Sequence, residues 1–215
     1  MEIYLDTANT DYIEKYLVPY NLSGVTCNPS ILAKDKQDWE VLAQLVKGDK
    51  KLFVQVLATD TAGMVKEALQ LREKYDIIIK VPCSSEGYKA MVQLKKAGVP
   101  ILATAIYSPL QAILAAQCGA DYVAPYVNRM SDSEQDGVEI VSNIQQAFDL
   151  QGLDCKIVAA SFKNLNQIST LLIMGVYAVT LPVDLFEKMI ANPLTEAAVV
   201  NFTKDWKKFT GRNTL

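Results

Sequence analysis

Histidine is absent from the 215 residues. That absence removes Ser-His-Asp and Cys-His nucleophile systems, and every metal site built on imidazole. It also removes the usual proton carrier near neutral pH, so acid–base work must fall to Lys, Tyr, Asp, Glu or water. Cysteine is scarce. Cys27, Cys83, Cys118 and Cys155 are the four, and no two are spaced as a zinc knuckle or a redox pair. Their apolar neighbours predict small buried hydrophobes in a reducing, cytoplasmic compartment. No apolar run reaches the roughly 20 residues of a membrane span. The opening Met1-Glu2-Ile3-Tyr4-Leu5-Asp6 reads as a strand rather than a signal peptide. The net charge is −3 and the pI about 5.1, with acids and bases mixed throughout, so no basic face for nucleic acid is expected.

Half of the residues are apolar, and the length suits one domain over 1–215 with a substantial core. Short β-rich runs recur every ~20–30 residues, separated by helical patterns. They are Ile3–Asp6, Gly24–Thr26, Leu52–Leu57, Ile77–Val81, Ile101–Ala105, Tyr122–Pro125, Ile157–Ala160 and Ala178–Leu181. Segments such as Thr61–Lys74 and Ser85–Ala97 carry apolar residues at helical spacing, and Gly98, Gly119, Gly152 and Gly175 stand where helices should end. Alternating strands and helices imply parallel pairing with right-handed crossovers. Eight such units in this length predict a single (β/α)8 barrel over a doubly wound open sheet. Neither a Gly-x-Gly-x-x-Gly fingerprint nor a phosphate loop ending in Gly-Lys-Ser/Thr is present, which weakens a nucleotide-binding reading. A further C-terminal helix is expected over 193–210. Val199, Phe202, Trp206 and Phe209 share one face of it, either to close a barrel end or to meet a neighbouring subunit.

A barrel of this kind gathers its active site at the carboxyl ends of the strands. The polar residues there are Asp6, Thr26 with Asn28, Gln55, Lys80, Thr104, Tyr126 with Asn128 and Arg129, and Ser161 with Lys163. Lys80 is the sharpest signal, because it interrupts the apolar run Ile77-Ile78-Ile79-Lys80-Val81-Pro82. Such a lysine either caps the barrel end in an ion pair or serves as a nucleophile. Burial disfavours a charged amine, and a neutral amine attacks a ketone carbonyl to form an imine. The protonated imine is then an electron sink for C–C cleavage, and no metal is needed. Asp6 either manages charge at that amine or bonds the following backbone. Thr26 and Asn28 bind substrate or stabilise the turn at Asn28-Pro29-Ser30. Gln55 and Thr104 lie within apolar strands and need partners if buried, which a trapped water would supply. Tyr126 can exchange protons through that water, or simply pack. Arg129 suits a phosphate dianion or a surface ion pair, and Ser161 and Lys163 can add donors.

Six stretches together resemble the transaldolase family, and most closely its small fructose-6-phosphate aldolase branch. They are Tyr4-Leu5-Asp6-Thr7-Ala8, Gly24-Val25-Thr26-Cys27-Asn28-Pro29-Ser30, Ile79-Lys80-Val81-Pro82, Ala103-Thr104-Ala105-Ile106-Tyr107-Ser108, Ala124-Pro125-Tyr126-Val127-Asn128-Arg129 and Ala159-Ala160-Ser161-Phe162-Lys163. The resemblance implies that Lys80 forms the Schiff base and that Asp6 and Asn28 hold the hydroxyls of a dihydroxyacetone unit. It implies that Gln55, Thr104 and Tyr126 position a catalytic water, with Tyr126 the acid–base group. Arg129 and Ser161 match phosphate-binding positions, and Lys163 a position that is often basic. Cys27 departs from the threonine of many relatives. Larger transaldolases typically have glutamate at the position of Gln55 and phenylalanine at that of Tyr126. The implied activity is therefore reversible cleavage of fructose 6-phosphate to dihydroxyacetone and glyceraldehyde 3-phosphate, without cofactor or metal. Transfer of the dihydroxyacetone unit between sugar phosphates is the alternative, and a non-catalytic sugar-phosphate-binding barrel a third reading. The resemblance also implies a homo-oligomer, a pentamer or decamer, with the last helix reaching a neighbour.

Overall fold

Eight strands of alternating side-chain direction close on themselves when each pairs with the next. In the computed structural model, which describes residues 1–214, they form a closed parallel barrel in sequence order. The strands are β1 Glu2–Asp6, β2 Gly24–Thr26, β3 Lys51–Gln55, β4 Ile78–Pro82, β5 Ile101–Ile106, β6 Tyr122–Pro125, β7 Lys156–Ala159 and β8 Ala178–Leu181. β1 pairs with β8 through Tyr4–Thr180 and with β2 through Asp6–Thr26, which completes the ring. The connecting helices are α1 Thr10–Tyr16, α2 Pro29–Asp35, α3 Trp39–Leu45, α4 Thr61–Lys74, α5 Ser85–Lys96, α6 Pro109–Gln117, α7 Val127–Ser131, α8 Gly137–Gln151, α9 Leu165–Ile173, α10 Val183–Ile190 and α11 Pro193–Thr210. This is the (β/α)8 barrel that the spacing predicts, with the extra C-terminal helix.

Inward residues fill the barrel: Tyr4, Phe53, Ile78, Leu102, Ala124, Val158 and Ala178 form its buried interior. Tyr4 and Phe53 meet edge to face at 5.1 Å, and Phe53 meets Tyr122 likewise at 5.7 Å. The outward residues of the same strands join the inner faces of the helices in a second, larger core. The amino-terminal end of the barrel is closed by ionic and phenolic side chains. Glu2 accepts bonds from Lys51 Nζ at 2.7 and 2.8 Å, from Tyr177 at 2.8 Å, and from the Tyr4 hydroxyl. Burial would push Glu2 up, but Lys51 and the two phenols outweigh it and hold its pKa below the ordinary value.

Two close approaches fix the strands that matter below. A Cβ on Gly24 would lie 1.9 Å from the Lys51 carbonyl oxygen, and one on Gly87 would lie 1.9 Å from that of Pro82. The glycine at the start of α5 thus lets the helix settle directly on the end of β4. The predicted helix-ending glycines 98, 119, 152 and 175 all have positive φ, as a left-handed C-terminal turn requires.

One local expectation is corrected, and one pair of alternatives is narrowed. The third strand stops at Gln55 rather than Leu57, because the Glu67 carboxylate draws off the Leu57 and Ala58 amides at 2.7 and 3.1 Å. Of the two roles open to the C-terminal helix, closing a barrel end is the one its exposure disfavours. The helix buries no side chain, and Leu194, Phe202 and Phe209 are exposed along it.

Candidate active site

Two residues past β2, Asn28 caps α2 by accepting the Ile31 amide at 3.1 Å, and Pro29 occupies the first helical turn. The chain therefore leaves the sheet at Cys27, whose carbonyl is turned into the barrel mouth. Lys80 Nζ donates to that carbonyl at 2.8 Å, and the lysine is only 4 % exposed. Its amine borders a cavity of about 280 Å³ at the carboxyl end of the barrel. Asp6, Thr26, Asn28, Tyr126, Arg129 and Ser161 share the walls of the same cavity. These positions are scattered over 155 residues of sequence, and the parallel register brings them to one mouth.

Asp6 accepts from the Thr26 hydroxyl at 2.7 Å. Burial pushes the Asp6 carboxyl above the usual aspartate value, against the opposing pull of Lys80, the Thr26 hydroxyl and Arg129. A carboxylate so placed holds a proton more readily than a surface aspartate, as a group that must take and return protons requires.

Tyr126 begins the one-and-a-half-turn helix α7, with a β-bridge to Ala160 that ties it to the end of β7. Its hydroxyl lies 3.0 Å from that of Thr104 on β5, a side chain 1 % exposed. Arg129 falls three residues on, and one helical turn stacks its guanidinium over the Tyr126 ring at 4.8 Å. Its Nη1 also reaches the Tyr107 hydroxyl at 3.5 Å, and Tyr107 meets Tyr126 edge to face at 5.7 Å. Two non-glycine residues near this mouth take left-handed backbone, Ala105 at φ 59° and Ser161 at φ 61°. Ala105 lies in the irregular stretch where β5 shifts register against β6, and Ser161 turns the chain after β7. Such strain persists where the surroundings fix it, and it is commonest at functional sites.

Four sequence-predicted residues do not line the cavity, and of these Thr104 meets it through the Tyr126 hydroxyl. Gln55 shares the parity of Phe53, but it borders clefts beside Pro29 and Leu57 outside the Lys80 cavity, and its amide makes no hydrogen bond among the described residues. Asn128 donates to Asp132 at 2.9 Å, one turn along α7. Lys163 is exposed beyond the Ser161 turn. Conversely, Thr180 on β8 and Phe162 border the cavity although the sequence reading passed over them, while Tyr107 stands behind Arg129 and Tyr126. Thr180 had a signal: it is the polar residue in the apolar strand Ala178-Val179-Thr180-Leu181. Cys27 is no rival nucleophile, since burial pushes its thiol up to about 11. Cys83 and Cys155 are likewise raised by burial, each to about 12, and all four cysteines are free.

With this geometry in view, the transaldolase/fructose-6-phosphate aldolase family matches residues 3–213. The chain belongs to that family. Its length fits the small branch. Among solved structures, mandelate oxidases carrying FMN adducts superpose with a TM-score of 0.60 at 10 % identity, over 84 % of this chain and 64 % of theirs. A flavocytochrome b2 with benzoylformate gives 0.56 at 14 %, over 75 % and 49 %. The chain thus spans less than two thirds of these proteins, and at such identities the likeness is one of barrel fold alone.

Proposed function

We propose that the chain is a Schiff-base aldolase that cleaves fructose 6-phosphate reversibly to dihydroxyacetone and glyceraldehyde 3-phosphate, using neither metal nor organic cofactor. The observation that carries this reading is the buried Lys80 amine sharing one cavity with Asp6, Tyr126 and Arg129. Lys80 Nζ adds to the C2 carbonyl, and loss of water gives the protonated imine. Asp6 takes the proton of the C4 hydroxyl. The C3–C4 bond breaks, its electron pair passes to the imine nitrogen as an enamine forms, and C4 departs as the aldehyde of glyceraldehyde 3-phosphate. The enamine takes a proton at C3 from Tyr126. Water adds to the resulting imine, and collapse frees dihydroxyacetone and the amine. The proton held by Asp6 returns to the phenolate through water. Asn28 offers its amide to the dihydroxyacetone hydroxyls, with Thr26 holding Asp6. Arg129 and Ser161 receive the phosphate at the rim.

Borohydride reduction with fructose 6-phosphate, followed by peptide mapping, tests the chemistry, and an adduct on Lys80 is expected. Cleavage should survive strong chelators, because the imine is the electron sink. No adduct on Lys80 would remove the proposal.

A transaldolase is the second reading, and Gln55 is what favours it. With that amide outside the cavity, one of the three groups expected to hold a hydrolytic water is missing. Comparing dihydroxyacetone release with its transfer to erythrose 4-phosphate separates the two activities. The free Tyr126 phenol, already bonded to Thr104, favours release. Assembly into a pentamer or decamer belongs to the same proposal. It is supported by the unburied apolar residues of α11, and sedimentation tests it. So does a cytoplasmic setting, supported by the four free cysteines.

A further inference from the structure

Among the described residues, five polar or charged side chains are buried: Thr7, Thr26, Lys80, Thr104 and Thr180. Thr26, Lys80 and Thr104 belong to the site already described. Thr180 shares that cavity and so far has no task. Its hydroxyl lies 2.6 Å from that of Thr26, which in turn lies 2.7 Å from Asp6 Oδ1. The three sit on adjacent strands, with β1 between β8 and β2, so the barrel register itself sets the spacing.

The direction of the chain follows from a proton count. An ionised carboxylate accepts only, so Thr26 must give Asp6 its single hydroxyl proton. The Thr26 oxygen is then an acceptor, and the 2.6 Å contact requires Thr180 to be its donor. Hydrogen bonds in series polarise one another, and a donor whose oxygen itself accepts a bond is a stronger donor. Without Thr180, the Thr26 hydroxyl is free to rotate away from Asp6 and donates more weakly when it stays.

We propose that Thr180 is a positioning residue, which by donating to Thr26 keeps the Thr26 hydroxyl aimed at Asp6 and holds that carboxylate ionised and oriented to take the substrate proton. This rests on the reading of Asp6 as the proton acceptor in aldol cleavage. The other groups around Asp6 stay in place when Thr180 changes. Lys80 and Arg129 face it across the cavity, and Tyr12, Lys34, Asp35, Asp184 and Glu187 border the cleft on its far side. The Cys27 thiol at the end of β2 also stays in place.

The test uses the full chain with Thr180→Val, which keeps shape and branching, Thr180→Ala, which keeps neither, and Thr180→Ser, which keeps the hydroxyl. The Asp6 carboxyl carbon is titrated by NMR without substrate, and the pH profile of kcat/KM for fructose 6-phosphate cleavage is recorded alongside. Thr180→Val and Thr180→Ala should each raise the Asp6 midpoint by about half a pH unit, carry the acid limb of the profile up with it, and lower kcat more than they raise KM. Thr180→Ser should return all three to wild type. An Asp6 midpoint unmoved in both hydroxyl-free variants overturns the relay, whatever happens to the rate. So does a change confined to KM, which would make Thr180 a direct substrate contact. Borohydride trapping of the wild type keeps the two ideas separate. Failure to trap Lys80 sinks the aldolase reading, while the substrate-free titration still judges the hydroxyl chain.

Discussion

Removing one oxygen, in Tyr126→Phe, should affect stability and turnover by different routes. The phenol lies 3.0 Å from Thr104 Oγ1, and Thr104 is 1 % exposed, so the change strands a buried hydroxyl with no other side-chain partner. An orphaned buried group of this kind costs about 1–3 kcal/mol, which lowers Tm by about 2–4 °C for each kcal/mol in a chain this long. Loss of a positioned general acid costs about 10²- to 10⁴-fold in the step it serves. That step is protonation of the enamine, which release of dihydroxyacetone requires and transfer to an acceptor aldehyde bypasses. Release should therefore fall by about two orders of magnitude or more, and transfer to erythrose 4-phosphate by far less. Adding Thr104→Val removes the stranded hydroxyl. The double variant should recover most of the lost Tm and none of the lost release. Thermal unfolding and the two steady-state assays read these quantities separately. Equal losses in release and transfer would refute the role given to the phenol.

Asp6→Asn carries a linkage sign. The folded pKa of Asp6 is raised by burial above the ordinary aspartate value, so the stability it contributes is greatest below that value and is lost as pH rises through the folded pKa. At neutral pH the carboxylate thus costs stability. The variant should unfold at a higher temperature than wild type at pH 7, lose that advantage below about pH 4, and be inactive throughout. Arg129→Ala should raise KM for fructose 6-phosphate on the order of 10- to 100-fold, the worth of a charge-assisted bond, while condensation of dihydroxyacetone with unphosphorylated glyceraldehyde stays nearly unchanged. Gly87→Ala sets a Cβ 1.9 Å from a backbone oxygen that cannot yield. It should cost about 1–3 kcal/mol, visible as a lower midpoint in urea.

The barrel and its central lysine were legible because both violate or obey simple periodicities. A lysine inside Ile77–Val81 has no place on a buried strand unless it faces a polar interior, and the observed 4 % exposure bears out that burial. What escaped the sequence depends on geometry that residue type does not encode. Asn128 and Arg129 follow the sixth strand in sequence, which sets both at the mouth. They sit on α7, where consecutive side chains diverge by about 100°, so Arg129 reaches the cavity and Asn128 turns to Asp132. Lys163 follows the left-handed Ser161, after which Phe162 takes the inward place. Thr180 was overlooked because a threonine in a β-run reads first as strand propensity. Only the register that sets β8 beside β1 and β2 shows what its hydroxyl touches.

Gln55 shows why aldolase and transferase are hard to separate within one scaffold. Parity placed it inward with Phe53, and parity alone would set it beside Lys80, its register partner on β4. The Glu67 carboxylate captures the amides of residues 57 and 58, ends β3 at Gln55, and leads the chain outward. Thr104 on β5 and Tyr126 at the start of α7 keep their bond. In the proposed mechanism, the amine and the carboxylate that make and break the C–C bond are thus held by the sheet itself. The groups to which the proposal gives the choice between protonating the enamine and preserving it hang on strand ends and the short α7. One carboxylate on a neighbouring helix can move them without disturbing the barrel, so the fate of the enamine can change while the chemistry that forms it does not.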